Sequence, residues 1–385
     1  MLKRLYIDNF KCLVNFVWQP GPARLNLLLG PNGAGKTTVF DALDSVRAFA
    51  LGEGKVDALF PASSLTLWQD VLTQSFQLEW EREGSVYRYE LAVEHDRDRV
   101  KRRVLHERLS LDDKPLLRFE SGEVHLYRDD HSEGPLYPFD WTQSALASIL
   151  PRADNRKLTW FKTLLERVAI LQIVPPMIAG TSLREAQRPD RHFENFVSWY
   201  RWVSQDQGMA SRLQQELQEV LPGFSNFKFE PFGPEARRLK AMFNGGSAQP
   251  VPLSFDSLSD GQKMLVALYA VLFALGAQVE AQEGGEREVA GLLCLDEPDN
   301  FIALREIQPW LLAAEDQLGR TGAQALVISH HPEIINYGLL PAPDEPASVF
   351  WFEREEGRHT RVRPLAAEND SALPPAELVA RGWLK

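Results

Sequence analysis

Apolar positions follow three periods along this chain, and each period predicts a different element. Leu2 to Phe10 and Ala23 to Leu29 are apolar segments of strand length. The second contains Leu25-Asn26-Leu27-Leu28-Leu29 and ends at Gly30, the pattern of a buried central strand leading into a turn. Val39, Ala42, Leu43 and Val46 then recur at helical spacing, so a helix is expected to begin within the Gly35-Lys36-Thr37-Thr38 segment. From Ser75 to Arg128 the period falls to two. Phe76, Leu78 and Trp80 share one face of a strand, and Tyr87, Tyr89, Leu91 and Val93 share one face of the next. Glu83-Gly84, Asp112-Asp113 and Ser121-Gly122 are turn signals between these runs, which predicts an antiparallel meander with one wet side.

The helical period then returns. Trp160, Phe161, Leu164, Leu165 and Val168 have it, as do Phe193, Phe196, Trp199, Tyr200 and Val203, followed by Leu213, Leu217 and Leu221 up to Pro222. The simplest use of this aromatic stripe is packing between helices; a partner-binding face is the alternative. Gly233-Pro234 and Gly245-Gly246 mark loops. Met264 to Ala277 reads as a buried helix, and Val289 to Leu295 and Ala325 to Ile328 as core strands. Ser348 to Phe352 and Thr360 to Arg363 predict a hairpin around Glu356-Gly357, and Ala376 to Leu384 a closing helix. No internal repeat or low-complexity tract is present.

Composition narrows the class. Across 385 residues, 44% are hydrophobic and 25% charged, a folded chain rather than a disordered one. A net charge of -11 argues against a surface coated in base, though not against a local basic groove. Cys12 and Cys294 sit in apolar runs and read as buried thiols in a reducing compartment. The N-terminus reads as a strand rather than a signal peptide. The longest apolar stretch, Met264 to Ala277, is shorter than the roughly 20 residues that span a bilayer. The expectation is a cytoplasmic protein without a membrane partner.

Two segments carry recognisable chemistry. Gly30-Pro31-Asn32-Gly33-Ala34-Gly35-Lys36-Thr37 is a complete phosphate-binding loop between a predicted strand and a predicted helix. Its glycines at 30, 33 and 35 allow backbone conformations that turn several N–H groups inward, toward a β-phosphate at the helix N-terminus. Lys36 is expected to bridge the β- and γ-phosphates, Thr37 to ligate Mg2+, and Thr38 to donate to the α-phosphate. The second segment is Leu292 to Pro298. Asp296 ends an apolar strand and is expected to hold magnesium, directly or through water; Glu297 follows it and is expected to polarise the attacking water. An acidic strand-to-loop cap would look the same in isolation. The ligand implied is ATP with Mg2+.

The order GPNGAGKTT, then LSDGQ, then LDEP, then ISHH resembles the ABC ATPase superfamily. The resemblance implies an α/β fold: an ABC-type two-lobed ATPase head with a mixed central sheet, an antiparallel β meander and a short helical insertion. It divides the chain into residues 1–150 (first lobe with phosphate loop and meander), 151–245 (helical insertion) and 246–385 (second lobe). It also implies that Ser259 and Gly261 of the signature, with Gln262 beside them, contact the γ-phosphate held by the opposite subunit of a homodimer that sandwiches ATP. By the same resemblance His330 is the switch histidine, with His331 as competitor. Gln172 is the candidate for the glutamine that joins the lobes and senses magnesium, with Gln69, Gln74 and Gln77 as competitors; a surface glutamine would read alike. Lys11 stands where related ATPases often place a basic residue facing nucleotide, although a solvated lysine fits equally.

Spacing selects the branch. More than 200 residues separate the phosphate loop from the signature. Transporter ATPases resemble the motifs but have a shorter gap, and SMC-type proteins fill the gap with heptad coiled coil, which is lacking here. The chain looks most like the RecF-like, AAA15 (AAA_21) group of bacterial ATPases, related to the ATPase part of OLD-family nucleases. Two departures stand out. Ala303 occupies a position where many ABC proteins carry aspartate, and only a short stretch follows His330, with no room for a Toprim nuclease. The resemblance therefore implies a hydrolase, an ATP-driven switch controlling a partner effector (a nuclease or toxin encoded nearby) or DNA, in bacterial anti-phage defence or a toxin–antitoxin-like system. The alternative is a RecF-like repair ATPase that clamps DNA itself, using basic residues such as Lys101-Arg102-Arg103, Arg152, Arg156-Lys157, Arg237-Arg238 and Lys240.

Overall fold

The structure is a computed structural model. It describes residues 1–96, 98, 100–244, 250–280, 290–339, 347–354, 358–366 and 373–383, without the side chains of 276–280. The predicted turns at Gly245-Gly246 and Glu356-Gly357, and Leu384 of the predicted closing helix, lie outside the described residues. The chain divides into two compact units, Met1–Val168 with Ser348–Ala366, and Ala169–Ala347 with Ala367–Lys385.

The first unit opens with β1 (Leu2–Asp8), β2 (Phe16–Trp18), β3 (Leu25–Leu29), α1 (Lys36–Ala50) and the short α2 (Val56–Leu59). It continues with β4 (Thr73–Arg82), β5 (Ser85–His95), β6 (Arg102–Leu111), β7 (Lys114–Glu120), β8 (Glu123–Tyr127) and β9 (Glu133–Pro138), then α3 (Ala145–Ser148) and α4 (Arg156–Glu166). Eight of the strands form one antiparallel sheet in the order β2-β1-β4-β5-β6-β7-β8-β9. The predicted meander is its centre. Each anticipated turn is a two-residue connection with both residues at positive φ: Glu83-Gly84, Asp112-Asp113 and Ser121-Gly122. That geometry matches the right-handed twist of the flanking strands, which is why acidic and glycine pairs recur there. Phe76, Leu78, Trp80, Tyr87, Tyr89, Leu91 and Val93 are all buried, as alternation required. Trp160 and Phe161 of α4 lie on this face, with the Trp160 ring 4.7 Å from Tyr87 and the Phe161 ring 5.8 Å from Tyr89.

The second unit runs from β10 (Val168–Leu171) and β11 (Thr181–Ser182) to α5 (Phe196–Val203) and α6 (Gln207–Val220). Then follow β12 (Phe224–Pro231), β13 (Arg237–Phe243), β14 (Val251–Ser254), α7 (Asp260–Glu280), β15 (Leu292–Asp296), α8 (Leu304–Thr321), β16 (Gln324–Ile328) and α9 (Pro332–Leu339). Strands β10, β15 and β16 lie side by side, and β15 pairs with β16 in parallel, all their residues buried. Helix α7 is buried on every side from Lys263 to Ala274 and lies against α6 and α8. After α9 the chain returns to the first unit as β17 (Ala347–Glu353) and β18 (Arg361–Pro364), the expected hairpin, beside β3. Helix α10 (Pro375–Ala380) is the last element of the described residues.

The small sheet of β11, β12, β13 and β14 was not anticipated from the sequence, where only Phe227-Lys228-Phe229-Glu230 alternates. It also changes what the aromatic stripe does. Val168 is in a strand rather than a helix, and Phe193 precedes α5. Tyr200 packs on Phe227 and Phe229 of β12, and Phe196 stacks on Phe255 at 5.1 Å. The helices of the stripe therefore pack on α7, as expected, and also cover the small sheet. A helix face presents the same spacing to either surface, so the period could not distinguish them.

Candidate functional site

The phosphate loop is built entirely within the first unit. Strand β3 is buried throughout and ends at Leu29; α1 starts at Lys36, with Gly35 as N-cap in the left-handed region. Gly30, Gly33 and Gly35 have φ of 141°, 79° and 97°, conformations that cost other residues dearly. Two of them also face close neighbours. A Cβ on Gly30 would strike the Phe352 carbonyl, and one on Gly35 would overlap the Thr360 hydroxyl and come 2.9 Å from the Cys12 sulfur. At Gly33 that direction is open, as the rim of a cradle should be. Pro31 and Asn32 are exposed at the tip, whereas Ala34 and Lys36 are buried. The Lys36 ammonium lies over its own loop, donating to the Gly30 carbonyl at 2.6 Å and the Pro31 carbonyl at 3.1 Å. Thr37 and Thr38 occupy the first turn of α1, and the Thr38 hydroxyl is 3.7 Å from the Cys12 sulfur.

A second group of residues belongs to the other unit. Asp296 is the last residue of β15, only 5% exposed. Glu297 continues the ladder by one bond, its N–H donating to the Ile328 carbonyl at 2.9 Å, and then takes a φ of 50°. A glutamate in that region stores strain of about 1 kcal/mol or more, held in place by the surrounding bonds. Its carboxylate accepts from the Asn300 amide at 2.9 Å, so Asn300 orients the candidate base, a role that no sequence signal announced. After β16, Ser329 is fully buried and caps the His331 N–H at 2.9 Å. The His331 ring accepts from the Glu333 N–H at 3.2 Å and is thereby committed to the start of α9, while His330 is exposed.

The signature opens α7. The Ser259 hydroxyl accepts from the Gln262 N–H at 3.3 Å, and the Gln262 side-chain carbonyl accepts from the Ser259 N–H at 3.0 Å. This reciprocal capping box serves the helix, yet it leaves the serine proton and the glutamine amide hydrogens free to donate outward. A Cβ at Gly261 would sit 3.0 Å from the Phe301 carbonyl, so this glycine lets the helix start approach the loop after Glu297. Two of the competing glutamines bond within the scaffold. Gln74 is fully buried and donates to the Asn9 and Ser64 carbonyls at 3.0 and 3.2 Å, a scaffold role for the 9–15 loop. Gln77 bonds Arg4 and Glu90. Gln172 follows β10, fixed through its backbone by Arg191 and His192. Lys11 pairs with Asp41 of α1 at 2.7 Å. Four residues of the candidate basic stripe are ion-paired: Arg102 with Asp57, Arg103 with Glu94, Arg152 with Asp154 and Lys240 with Glu230.

A family described as AAA domain, putative AbiEii toxin, Type IV TA system matches residues 25–336. The chain belongs to this family. The AAA_21 match begins at the first residue of β3 and reaches Asn336 in α9, so it includes the phosphate loop, the signature, the acidic pair and both histidines. The β17–β18 hairpin lies beyond it. A 46-residue segment is 52% identical to an OLD nuclease of Thermus scotoductus, which covers 12% of this chain and 8% of that protein. The structure of an SMC head bound to the C-winged helix domain of ScpA matches over 95% of this chain and 98% of its own, with TM-score 0.55 and 12% identity. The SMC head domain from Thermotoga maritima matches with TM-score 0.45 and 15% identity. The AAA_21 chain thus has an ABC-type fold, as the motif order implied. Among the described residues no helix is long and apolar enough to cross a membrane.

Proposed function

We propose that this chain binds ATP with magnesium and hydrolyses it in the cytoplasm, closing as a head-to-tail homodimer that controls a partner. The observation that carries the reading is the phosphate loop: three left-handed glycines at a helix N-terminus around a buried lysine. Backbone N–H groups of the loop would meet the β-phosphate, and Lys36 would exchange its loop carbonyls for β- and γ-phosphate oxygens. The Thr37 hydroxyl and the Asp296 carboxylate are hard oxygen donors of the kind magnesium prefers, with Gln172 as a further candidate. Bound magnesium would offset phosphate charge. Glu297 would take the proton of the attacking water as that oxygen bonds to the γ-phosphorus and the bond to the ADP oxygen breaks. His330 would touch the γ-phosphate, and Ser259, Gly261 and Gln262 would donate to it from the opposite subunit.

The residues divide in this reading as 1–150, 151–245 and 246–385, two working lobes around an insertion. The family description, which names a putative toxin and a toxin–antitoxin system, and the match to part of an OLD nuclease support a setting of that kind; an effector encoded nearby, a toxin or nuclease, is the candidate partner, with DNA as a second. The test is the solution mass of Glu297→Gln with and without ATP and magnesium. Binding with a shift to a dimer only when ATP is present is expected, together with at least a hundredfold loss of turnover. Normal hydrolysis would remove Glu297 as the base, and tight ATP binding without any change in mass would overturn the sandwich.

A further inference from the structure

We propose that Thr360 is a positioning residue for nucleotide binding: by anchoring the Ala34 carbonyl, it aims the Gly35 N–H into the phosphate cradle. The proposal rests on the phosphate-loop reading above and adds a residue far from any of its motifs. Thr360 immediately precedes β18 and is 2% exposed. Its hydroxyl donates to the Ala34 carbonyl at 2.9 Å, and its own N–H donates to the Cys12 carbonyl at 3.0 Å. The side chain is therefore held at its backbone and spends its proton on the phosphate loop.

The consequence follows from peptide geometry. No peptide bond in the described chain is cis, so the Ala34 carbonyl and the Gly35 N–H point in opposite directions across one rigid plane. Holding the carbonyl outward against Thr360 directs the N–H inward, where a phosphate oxygen would accept it. Gly35 has φ 97° and ψ 11°, and with no Cβ its peptide plane resists rotation weakly. An external anchor is what such a plane needs. The same contact explains the glycine, since a side chain at 35 would overlap the Thr360 hydroxyl. One of the loop's own donors is thus oriented by a residue outside the matched family segment.

Three variants separate orientation from packing: Thr360→Val removes the donor and keeps the volume, Thr360→Ser keeps the donor and removes a methyl, and Thr360→Cys retains a weak donor. Affinity for ATP with magnesium is read by calorimetry alongside the melting midpoint. Thr360→Val is expected to bind ATP about five- to tenfold more weakly, the share of one hydrogen bond. Thr360→Ser is expected to stay within about twofold of wild type even as its melting midpoint falls, with Thr360→Cys between them. Should Thr360→Val fail to fold, the order Ser over Cys decides. Affinity that follows the melting midpoint instead of donor strength would overturn the proposal, as would wild-type affinity in Thr360→Val. A wild-type protein that does not bind ATP at all would overturn the phosphate-loop reading as well, so the two failures are distinct.

Discussion

Glu107 shows how much a single buried residue can set. Its carboxylate is fully buried in the first unit, where it accepts from the Tyr89 hydroxyl at 2.8 Å, the Ser144 hydroxyl at 2.7 Å and the Ala145 N–H at 2.7 Å. Burial pushes its pKa up despite these donors. The folded protein then holds the proton to a higher pH than the unfolded chain does. Stability contributed by this group is fully present below its ordinary value near 4.5 and is lost as pH rises through the folded value. Glu107→Gln lacks that titration. Its melting midpoint is expected to gain on wild type as pH rises above the ordinary value near 4.5, and a difference independent of pH would count against the assignment. The phosphate-loop residues were legible one by one because glycine and lysine at fixed spacing leave few other readings. Asn300 beneath Glu297 and Thr360 behind Ala34 were not, since neither belongs to a local pattern.

At the scale of elements, the strands and helices with strong periods fall where the pattern put them, and capping explains their ends. The start of α7 is closed by the Ser259–Gln262 box. The start of α8 is not closed in the same way. Ala303 has N-cap backbone angles, φ −72° and ψ 146°, but no side chain to accept a first-turn N–H, although Glu306 accepts the Ala303 N–H at 3.1 Å. Ala303→Asp would supply that acceptor at the positive end of the helix, worth about 1 kcal/mol before repulsion from Glu306. A rise of about 2 °C in the melting midpoint is expected, and no rise would mean that the local acidic charge cancels the cap. Strands β12 to β14 escaped notice at this scale. The alternation in β12, Phe227-Lys228-Phe229-Glu230, lasts only four residues, and three of the seven residues of its partner β13 are charged. Their strand state comes from the ladder and from burial against Tyr200, neither of which is local.

At the scale of the whole molecule, the motifs of one proposed site are distributed over both units: the phosphate loop in the first, the acidic pair, signature and histidines in the second. If the signature serves the opposite subunit, a bulky cation there should abolish pairing while sparing nucleotide. Ser259→Arg is expected to bind ATP within about threefold of wild type, yet to stay monomeric by solution mass in the Glu297→Gln background. Dimer formation by that double variant would sink the cross-subunit role of Ser259.

What the chain determined by itself was everything set by short range. Hydrophobic period distinguishes strand from helix, paired turn residues close the meander hairpins, and the glycine–lysine–threonine run specifies an anion cradle, because each depends on neighbours within a few positions. Tertiary structure alone decided the rest. It brought Thr360 to Ala34, Gln74 to Asn9 and Phe352 to Gly30, and laid Tyr200 of the aromatic stripe on β12. These are contacts between partners of complementary shape and hydrogen-bonding capacity, most of them distant in sequence. The loop closure that unites such partners leaves no trace in local pattern.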